Sequence, residues 1–188
     1  PMIGGAERYV QSLAGELVRR GHDVVVVTSD AESQKDFWRP QETSMVSFSS
    51  FEDGIQVIRC PSTGVLGGRS MLLAWRKIMT LLSLLPRDVS PLVMRMARLV
   101  PSMPTLEATL SRLPHCNIVH AFNISWEYPL VAAWQFVQDR ELPLVVSPFA
   151  HFGTKRDDRI VHNNTMDHQL RILQHADAVL ALTPTERR

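Results

Sequence analysis

The spacing of apolar and polar residues along the first quarter of the chain predicts a helix followed by a strand. The apolar stripe at three- and four-residue intervals consists of Ala6, Val10, Leu13, Ala14, Leu17 and Val18. Gly21 stands where a glycine commonly ends a helix. The β-branched run 24–27, ending at Thr28, predicts a strand buried on both faces. The order of glycine pair, helix, turn and strand indicates the second half of a βαβ unit, whose first strand we expect to precede Pro1.

The rest of the chain predicts further strands separated by helices. Residues 31–50 are polar and rich in turn formers, which predicts a loop, and Asp53-Gly54 predicts the turn of a hairpin within 51–60. The later predicted strands are 117–121, 142–146 and 176–182, and the later predicted helices are 126–138 and 158–175. This order predicts an α/β fold with a doubly wound, mostly parallel, Rossmann-like sheet.

Composition limits the function classes only broadly. The 188 residues are 45% hydrophobic and 21% charged, as expected for one globular domain. A formal net charge of +1 argues against general binding of nucleic acid. Cys60 and Cys116 lack the spacing of metal ligands and are predicted to be reduced thiols. The sequence shows neither a signal peptide nor an apolar run that would span a bilayer, so we expect a cytoplasmic location.

The stretch from 64 to 104 differs in composition from the remainder. It is rich in leucine and methionine, its prolines predict short helices, and it carries a net charge of +5 while the remainder sums to −4. One interpretation is a basic, amphipathic surface that contacts anionic lipid and approaches a lipid-linked acceptor. The basic residues that would meet the lipid are Arg69, Arg76, Lys77, Arg95 and Arg98. The alternative is a helical insertion packed on the sheet, with its arginines in solvent.

The glycine pair at the start of the first helix could bind an anion. Gly4 and Gly5 carry no Cβ, so a ligand can approach the main chain, and the first turn of a helix offers unpaired N–H groups and the positive end of the dipole. Together these features make a phosphate site. A tight turn without a ligand is the alternative. The dinucleotide fingerprint and the P-loop motif are both absent from the sequence.

The run from Gly4 to Thr28 resembles the N-terminal half-domain of GT-B glycosyltransferases, and specifically the retaining family 4, also called group 1. The resemblance implies that Gly4 and Gly5 face the donor diphosphate and that residues 1–188 form the acceptor-side domain. The family's E-x7-E motif is not found, so we expect the nucleotide-binding C-terminal domain to be absent and the fragment alone to be inactive. The implied reaction moves a hexose-type unit from a nucleotide diphosphate sugar to a hydroxyl acceptor with retention, without cofactor or metal. The acceptor class, whether glycan, lipid-linked or small molecule, stays open.

Candidate site residues follow from the sheet. In open α/β sheets, ligands bind beyond the carboxyl ends of the strands. His151 lies in such a loop, and the resemblance implies that it contacts the transferred sugar; the alternative is a loop histidine bonded to backbone. Asn123, after the strand 117–121, is a candidate partner of an acceptor hydroxyl. The family often has His-x-His at this strand end, and here Phe122 takes the second position, while His120 is predicted to be a core residue.

Two other functions remain compatible with these patterns. A nucleotide-sugar epimerase of GT-B shape would share the glycine pair and the two-domain cleft. A non-catalytic Rossmann-like binding domain would use His151 and the glycines only structurally. Product analysis separates the first from a transferase, because an epimerase isomerises the free sugar nucleotide and a transferase passes the sugar to an acceptor.

Overall fold

Helices and strands alternate along most of the computed structural model, which describes residues 4–31, 36, 46–64, 67–150, 159–184 and 186. The elements in chain order are α1 (Gly5–Arg19), β1 (Val25–Ser29), β2 (Phe48–Glu52), β3 (Ile55–Cys60), α2 (Gly68–Leu82), α3 (Ser90–Ala97), α4 (Leu106–Ser111), β4 (Val119–Phe122), α5 (Glu127–Arg140), β5 (Leu144–Ser147), α6 (Arg159–Asn163), α7 (Asp167–His175) and β6 (Ala178–Val179).

The strands form two three-stranded sheets, ordered β1-β3-β2 and β4-β5-β6. In the first, β1 runs parallel to β3, and β2 pairs antiparallel with β3. In the second, both pairs are parallel, and Phe122 lies opposite Ser147 at the carboxyl ends of β4 and β5. Within the described residues, β1 and β4 are each paired along one edge only. The parallel pairs and the helices between them confirm the predicted α/β, Rossmann-like class.

The first helix and the hairpin form as their sequence patterns predict. The end of α1 is closed by hydrogen bonds from the amides of Gly21 and His22 to the carbonyls of Val18 and Leu17, and Gly21 has a φ of +85°. The hairpin turn at Asp53-Gly54 has positive φ at both residues, the type I′ geometry that suits the twist of its strands. Its first strand, β2, begins at Phe48, inside the stretch predicted to be a loop.

The strand β1 is half-buried, whereas the sequence predicted a strand buried on both faces. Val25, Val26 and Val27 are all of intermediate exposure. The physical reason is pairing, because β1 has a neighbouring strand on one side only in the described residues. The face of the first sheet that meets α1 is covered by a small cluster of Ala14, Ile55 and Val57.

The largest core lies against the second sheet. It joins β4 and β5 to the inner faces of α2, α3, α5 and α7, through residues such as Met79, Val93, Leu130, Val146 and Ile172. A second cluster places Cys60 of β3 against Tyr128 and Ala132 of α5. The helix α5 therefore packs on both sheets, and the segment 64–104 is built into the core through its apolar inner face.

The predicted helix 158–175 is interrupted. Its two parts, α6 and α7, are separated at residues 164–166, where Met166 is extended with φ −68° and ψ 149°. The amide of Met166 donates to Gln169 Oε1 at 2.9 Å, which caps the start of α7. The predicted strand 176–182 is also shorter, since only Ala178–Val179 pairs with β5.

Candidate functional site

Three segments meet at the carboxyl ends of β4 and β5. Tyr9, in the second turn of α1, contacts Phe122 at the end of β4, with ring centroids 6.3 Å apart and planes at 67°. It also contacts Phe149, just beyond β5, at 5.6 Å and 89°. Phe122 and Phe149 lie 6.0 Å apart. The two edge-to-face contacts of Tyr9 hold the start of α1 beside both strand ends. The carboxyl ends of the strands form the edge where open α/β sheets bind ligands.

Gly4 and Gly5 lie at the exposed start of α1 on the same edge. Gly4 has φ −75° and ψ 177°, and Gly5 is helical, so neither residue has the left-handed conformation that would require glycine. Among the described residues, a Cβ on Gly5 would meet no atom within 4 Å, whereas one on Gly4 would come within 2.5 Å of Glu7 Oε2. The described part of the chain therefore gives no steric reason for glycine at position 5, and it leaves the space above this residue open.

Two non-glycine residues with left-handed backbone follow the neighbouring strands. Asn123 has φ +66° and Phe149 has φ +50°. For a bulky residue such as Phe149 this conformation is strained by about 1–3 kcal/mol, and such strain is concentrated at functional sites. Asn123 is fixed in place by its own amide, which donates to Ser147 O at 2.9 Å, and by its Oδ1, which accepts from the amide of Ser125 at 3.0 Å.

His120, predicted to be a core residue, is half-buried at the end of β4. Its ring stacks on Phe122 at 4.0 Å and 28°, and its Nε2 shares a hydrogen bond of 2.9 Å with Ser147 Oγ. Burial lowers the pKa of His120 below its ordinary value. The neutral ring therefore supports the aromatic group at the strand ends.

His151, the predicted sugar contact, lies outside the described residues. The preceding residue, Ala150, is half-buried, and its amide donates to Glu186 Oε1 at 2.8 Å. Glu186 in turn is tied to Thr183, because the Glu186 amide donates to Thr183 Oγ1 at 3.1 Å. This bond, from an amide to the hydroxyl of a threonine three residues earlier, has the pattern of an N-capping contact.

Beneath the loop between β4 and α5 lies a buried polar group that the sequence did not reveal. Glu127, the first residue of α5, is fully buried, and its Oε1 accepts from Arg76 Nε at 2.9 Å and Arg76 Nη2 at 2.8 Å. Glu127 Oε2 and both ring nitrogens of the buried His168 have no hydrogen-bond partner within the described part of the chain. Burial raises the pKa of Glu127 to about 7 despite Arg76. Burial, with a smaller effect of the Arg76 charge, lowers the pKa of His168 to about 3.

Comparison with protein families decides the broad identity. The model of the glycosyl transferase 4-like domain matches residues 4–188. The chain belongs to this family. No curated protein and no solved structure matches it. The match confirms the family that the resemblance indicated. The features described above therefore belong to a glycosyl transferase 4-like domain.

Within this glycosyl transferase 4-like domain, the helix that begins with Gly5 contacts, through Tyr9, the ring of Phe122, which directly precedes Asn123. Sequence reasoning missed Tyr9 and Glu127, whereas Phe149 lies in the loop after β5 that carries the candidate His151. Glu127 carried a usable signal, since it opens a helix directly after a strand end. Among the described residues, no group of three histidine, cysteine or acidic side chains could hold a metal ion, and no helix is long and apolar enough to cross a membrane.

Proposed function

We propose that this chain is the acceptor-side domain of a retaining glycosyltransferase. The enzyme would transfer a hexose-type unit from a nucleotide diphosphate sugar, held largely by a second domain, to a hydroxyl of a glycan, lipid-linked or small acceptor. Gly4 and Gly5 would receive the diphosphate at the start of α1, His151 would contact the transferred sugar, and Asn123 would bind the acceptor. Main-chain donors and the helix dipole would stabilise the departing diphosphate, so the proposal includes neither a metal ion nor a cofactor.

The observation that carries this proposal is the space above Gly5. The start of α1 is exposed, lacks a side-chain cap, and is held by Tyr9 beside the ends of β4 and β5. Its first amides are therefore available to an anion. Without a ligand, the carboxylate of Glu7 folds back toward Gly4 and compensates the positive end of the helix dipole. We expect a diphosphate to displace that side chain.

A donor screen followed by product analysis tests the proposal. The full-length enzyme, which includes the domain that holds the donor, is warmed with uridine, guanosine and adenosine diphosphate hexoses. Donors that raise its melting temperature are then incubated with alcohol and glycoside acceptors. Transfer of the sugar with retained anomeric configuration supports the proposal. Isomerised free sugar nucleotide would support the epimerase instead, and binding without turnover would indicate a non-catalytic domain.

We also propose that the outer face of α2 contacts a lipid surface near the cytoplasmic face of a membrane. Exposed apolar side chains follow this helix and the turn after it, and they are Met71, Leu73, Ile78, Leu81, Leu84 and Leu85. Arg69, Lys77 and Arg95 are exposed beside them. Arg76, predicted to be in this basic set, is instead turned inward to Glu127, and Arg98 pairs with Glu107 at 2.7 Å. An exposed apolar face flanked by cations is typical of helices that lie on anionic lipid.

A further inference from the structure

The start of α5 is held by a buried ion pair. Its N-cap residue, Trp126, has φ −101° and ψ 83° and makes no side-chain capping hydrogen bond. The next residue, Glu127, is instead fastened to Arg76 of α2, through two nitrogens that donate to one carboxylate oxygen. Since Glu127 lies four residues after Asn123, this ion pair fixes the far end of the loop that carries Asn123.

The start of α7 holds the same loop from another side. Gln169 is fully buried, and its Nε2 donates to the carbonyl of Ile124 at 2.9 Å. Ser125 Oγ bonds to Asn164 Oδ1 at 3.1 Å. His168, next to Gln169, is buried close enough to Arg76 for the guanidinium charge to oppose its protonation. Side chains from α2 and α7 therefore converge beneath one short loop.

This polar group is poorly suited to a purely stabilising role. A buried ion pair is commonly no more stable than well-packed apolar residues of the same volume. Glu127 Oε2 and the ring nitrogens of His168 also lack partners in the described residues, and each unpaired buried polar atom is costly. What directional bonds supply and an apolar core lacks is a single fixed geometry for the loop above them.

We propose that Arg76, Glu127 and Gln169 form a positioning cluster that fixes the loop between β4 and α5, and with it Asn123, in the conformation that receives the acceptor. This inference rests on the proposed glycosyl transfer, which gives Asn123 its role. None of the three residues touches substrate, and each acts through the loop. The cluster also ties that loop to α2, whose outer face is the proposed lipid-contacting surface.

Hydrogen exchange and steady-state kinetics on the same variants of the full-length enzyme test the cluster. Both are measured at about pH 8, above the pKa of Glu127, so that its carboxylate is charged and paired with Arg76. The amides of Asn123, Ile124, Trp126 and Tyr128 are useful reporters, because each donates to a carbonyl only while the loop keeps its conformation. The variants are Arg76→Met, Glu127→Gln and their double substitution, with Arg76→Lys as the conservative form. The matched control is Arg98→Met, which breaks an exposed Arg–Glu pair in the same helical segment. Octyl glucoside serves as the acceptor probe, with the donor found in the screen above.

Arg76→Met and Glu127→Gln are each expected to speed exchange at the reporter amides about 10-fold or more, and to raise the KM for the acceptor probe about 10-fold. The donor KM should stay within about twofold, since the diphosphate site is elsewhere. The double variant should be no worse than the worse single variant, as expected for residues that act as a unit. Arg76→Lys should give exchange rates and an acceptor KM between those of the wild type and Arg76→Met. Arg98→Met should match the wild type in both measurements.

Unchanged exchange in Arg76→Met and Glu127→Gln would overturn the proposal. Faster exchange with an unchanged acceptor KM would also overturn it, because the cluster would then be merely structural. A full-length wild type that transfers no sugar from any donor refutes the proposed function itself. In that case the exchange data alone decide whether the cluster holds the loop.

Discussion

Glu127 and His168 should give the stability of this domain an unusual dependence on pH. The pKa of Glu127 rises from 4.5 to about 7 on folding, chiefly through burial. Between these values the folded protein keeps a proton that the unfolded chain has released, so the free energy of unfolding falls by about 1.4 kcal/mol per pH unit as pH rises. The pKa of His168 falls from 6.5 to about 3, again chiefly through burial. Between about pH 3 and pH 6.5 the unfolded chain holds a proton that the folded protein lacks, so the free energy of unfolding rises by about 1.4 kcal/mol per pH unit as pH rises.

The two effects cancel between pH 4.5 and 6.5, where both windows overlap. Glu127→Gln removes the falling contribution, so its free energy of unfolding should rise by about 3 kcal/mol across this range relative to the wild type. His168→Leu removes the rising contribution and should fall by about 3 kcal/mol relative to the wild type over the same range. Other titrating groups contribute equally to all three proteins and vanish from the differences.

Urea unfolding, followed by tryptophan fluorescence at pH 4.5, 5.5 and 6.5, measures these differences. Glu107→Gln is the matched control, since it neutralises an exposed carboxylate that also pairs with an arginine. Its curve should run parallel to the wild type. Parallel curves for Glu127→Gln and His168→Leu as well would refute the reasoning, because neither group would then change its proton affinity on folding.

Three further predictions concern the site and the surface. Gly5→Ala should leave the stability of the domain unchanged or raise it by up to about 1 kcal/mol, while lowering the rate of sugar transfer at least about tenfold. The control Gly15→Ala, at a glycine of the same helix that also has no neighbour within 4 Å among the described residues, should raise stability without changing the transfer rate. Equal transfer rates in both variants would show that the loop is only a turn. His151→Ala should lower kcat/KM by ~10- to 1000-fold with an unchanged melting temperature, and an unchanged rate would place the sugar contact elsewhere. Lys77→Glu and Leu81→Asn should each release the protein from vesicles of anionic phospholipid, and wild-type binding should weaken as salt rises. Leu170→Asn, at an exposed leucine of α7, should not release it; wild-type binding that is indifferent to lipid charge would return α2 to a plain helical insertion.

The elements that sequence reasoning predicted well are those fixed by local chemistry. The stripe of α1, the glycine that ends it and the Asp53-Gly54 turn each depend on neighbouring residues, and all three appear in the structure. The break near Met166 was not predictable from helical periodicity. It depends on Gln169 as a cap and on a bond from Ser125 to Asn164, which lies 39 residues away.

The same distinction applies to the candidate site. That Gly5 and Asn123 share one edge is a prediction from the rule that ligands bind beyond the carboxyl ends of parallel strands. The approach of Tyr9 to Phe149 depends on packing across most of the chain, and no spacing in the sequence indicates it. Arg76 shows the opposite failure: its neighbours suggest a surface cation, but its partner, Glu127, is 51 residues distant.

The division of the strands into two sheets has a consequence for how the site can change shape. Gly5 and Tyr9 belong to a helix that packs on the first sheet, while Phe122, Asn123 and Phe149 follow strands of the second. Within the described residues, no strand-to-strand hydrogen bond crosses between the sheets. The residues proposed for the site therefore come from elements of both sheets, and the rings of Tyr9, Phe122 and Phe149 contact one another where these elements meet. A shift of one sheet against the other would therefore change the distance between the proposed diphosphate and acceptor positions without breaking a strand pair of the described residues.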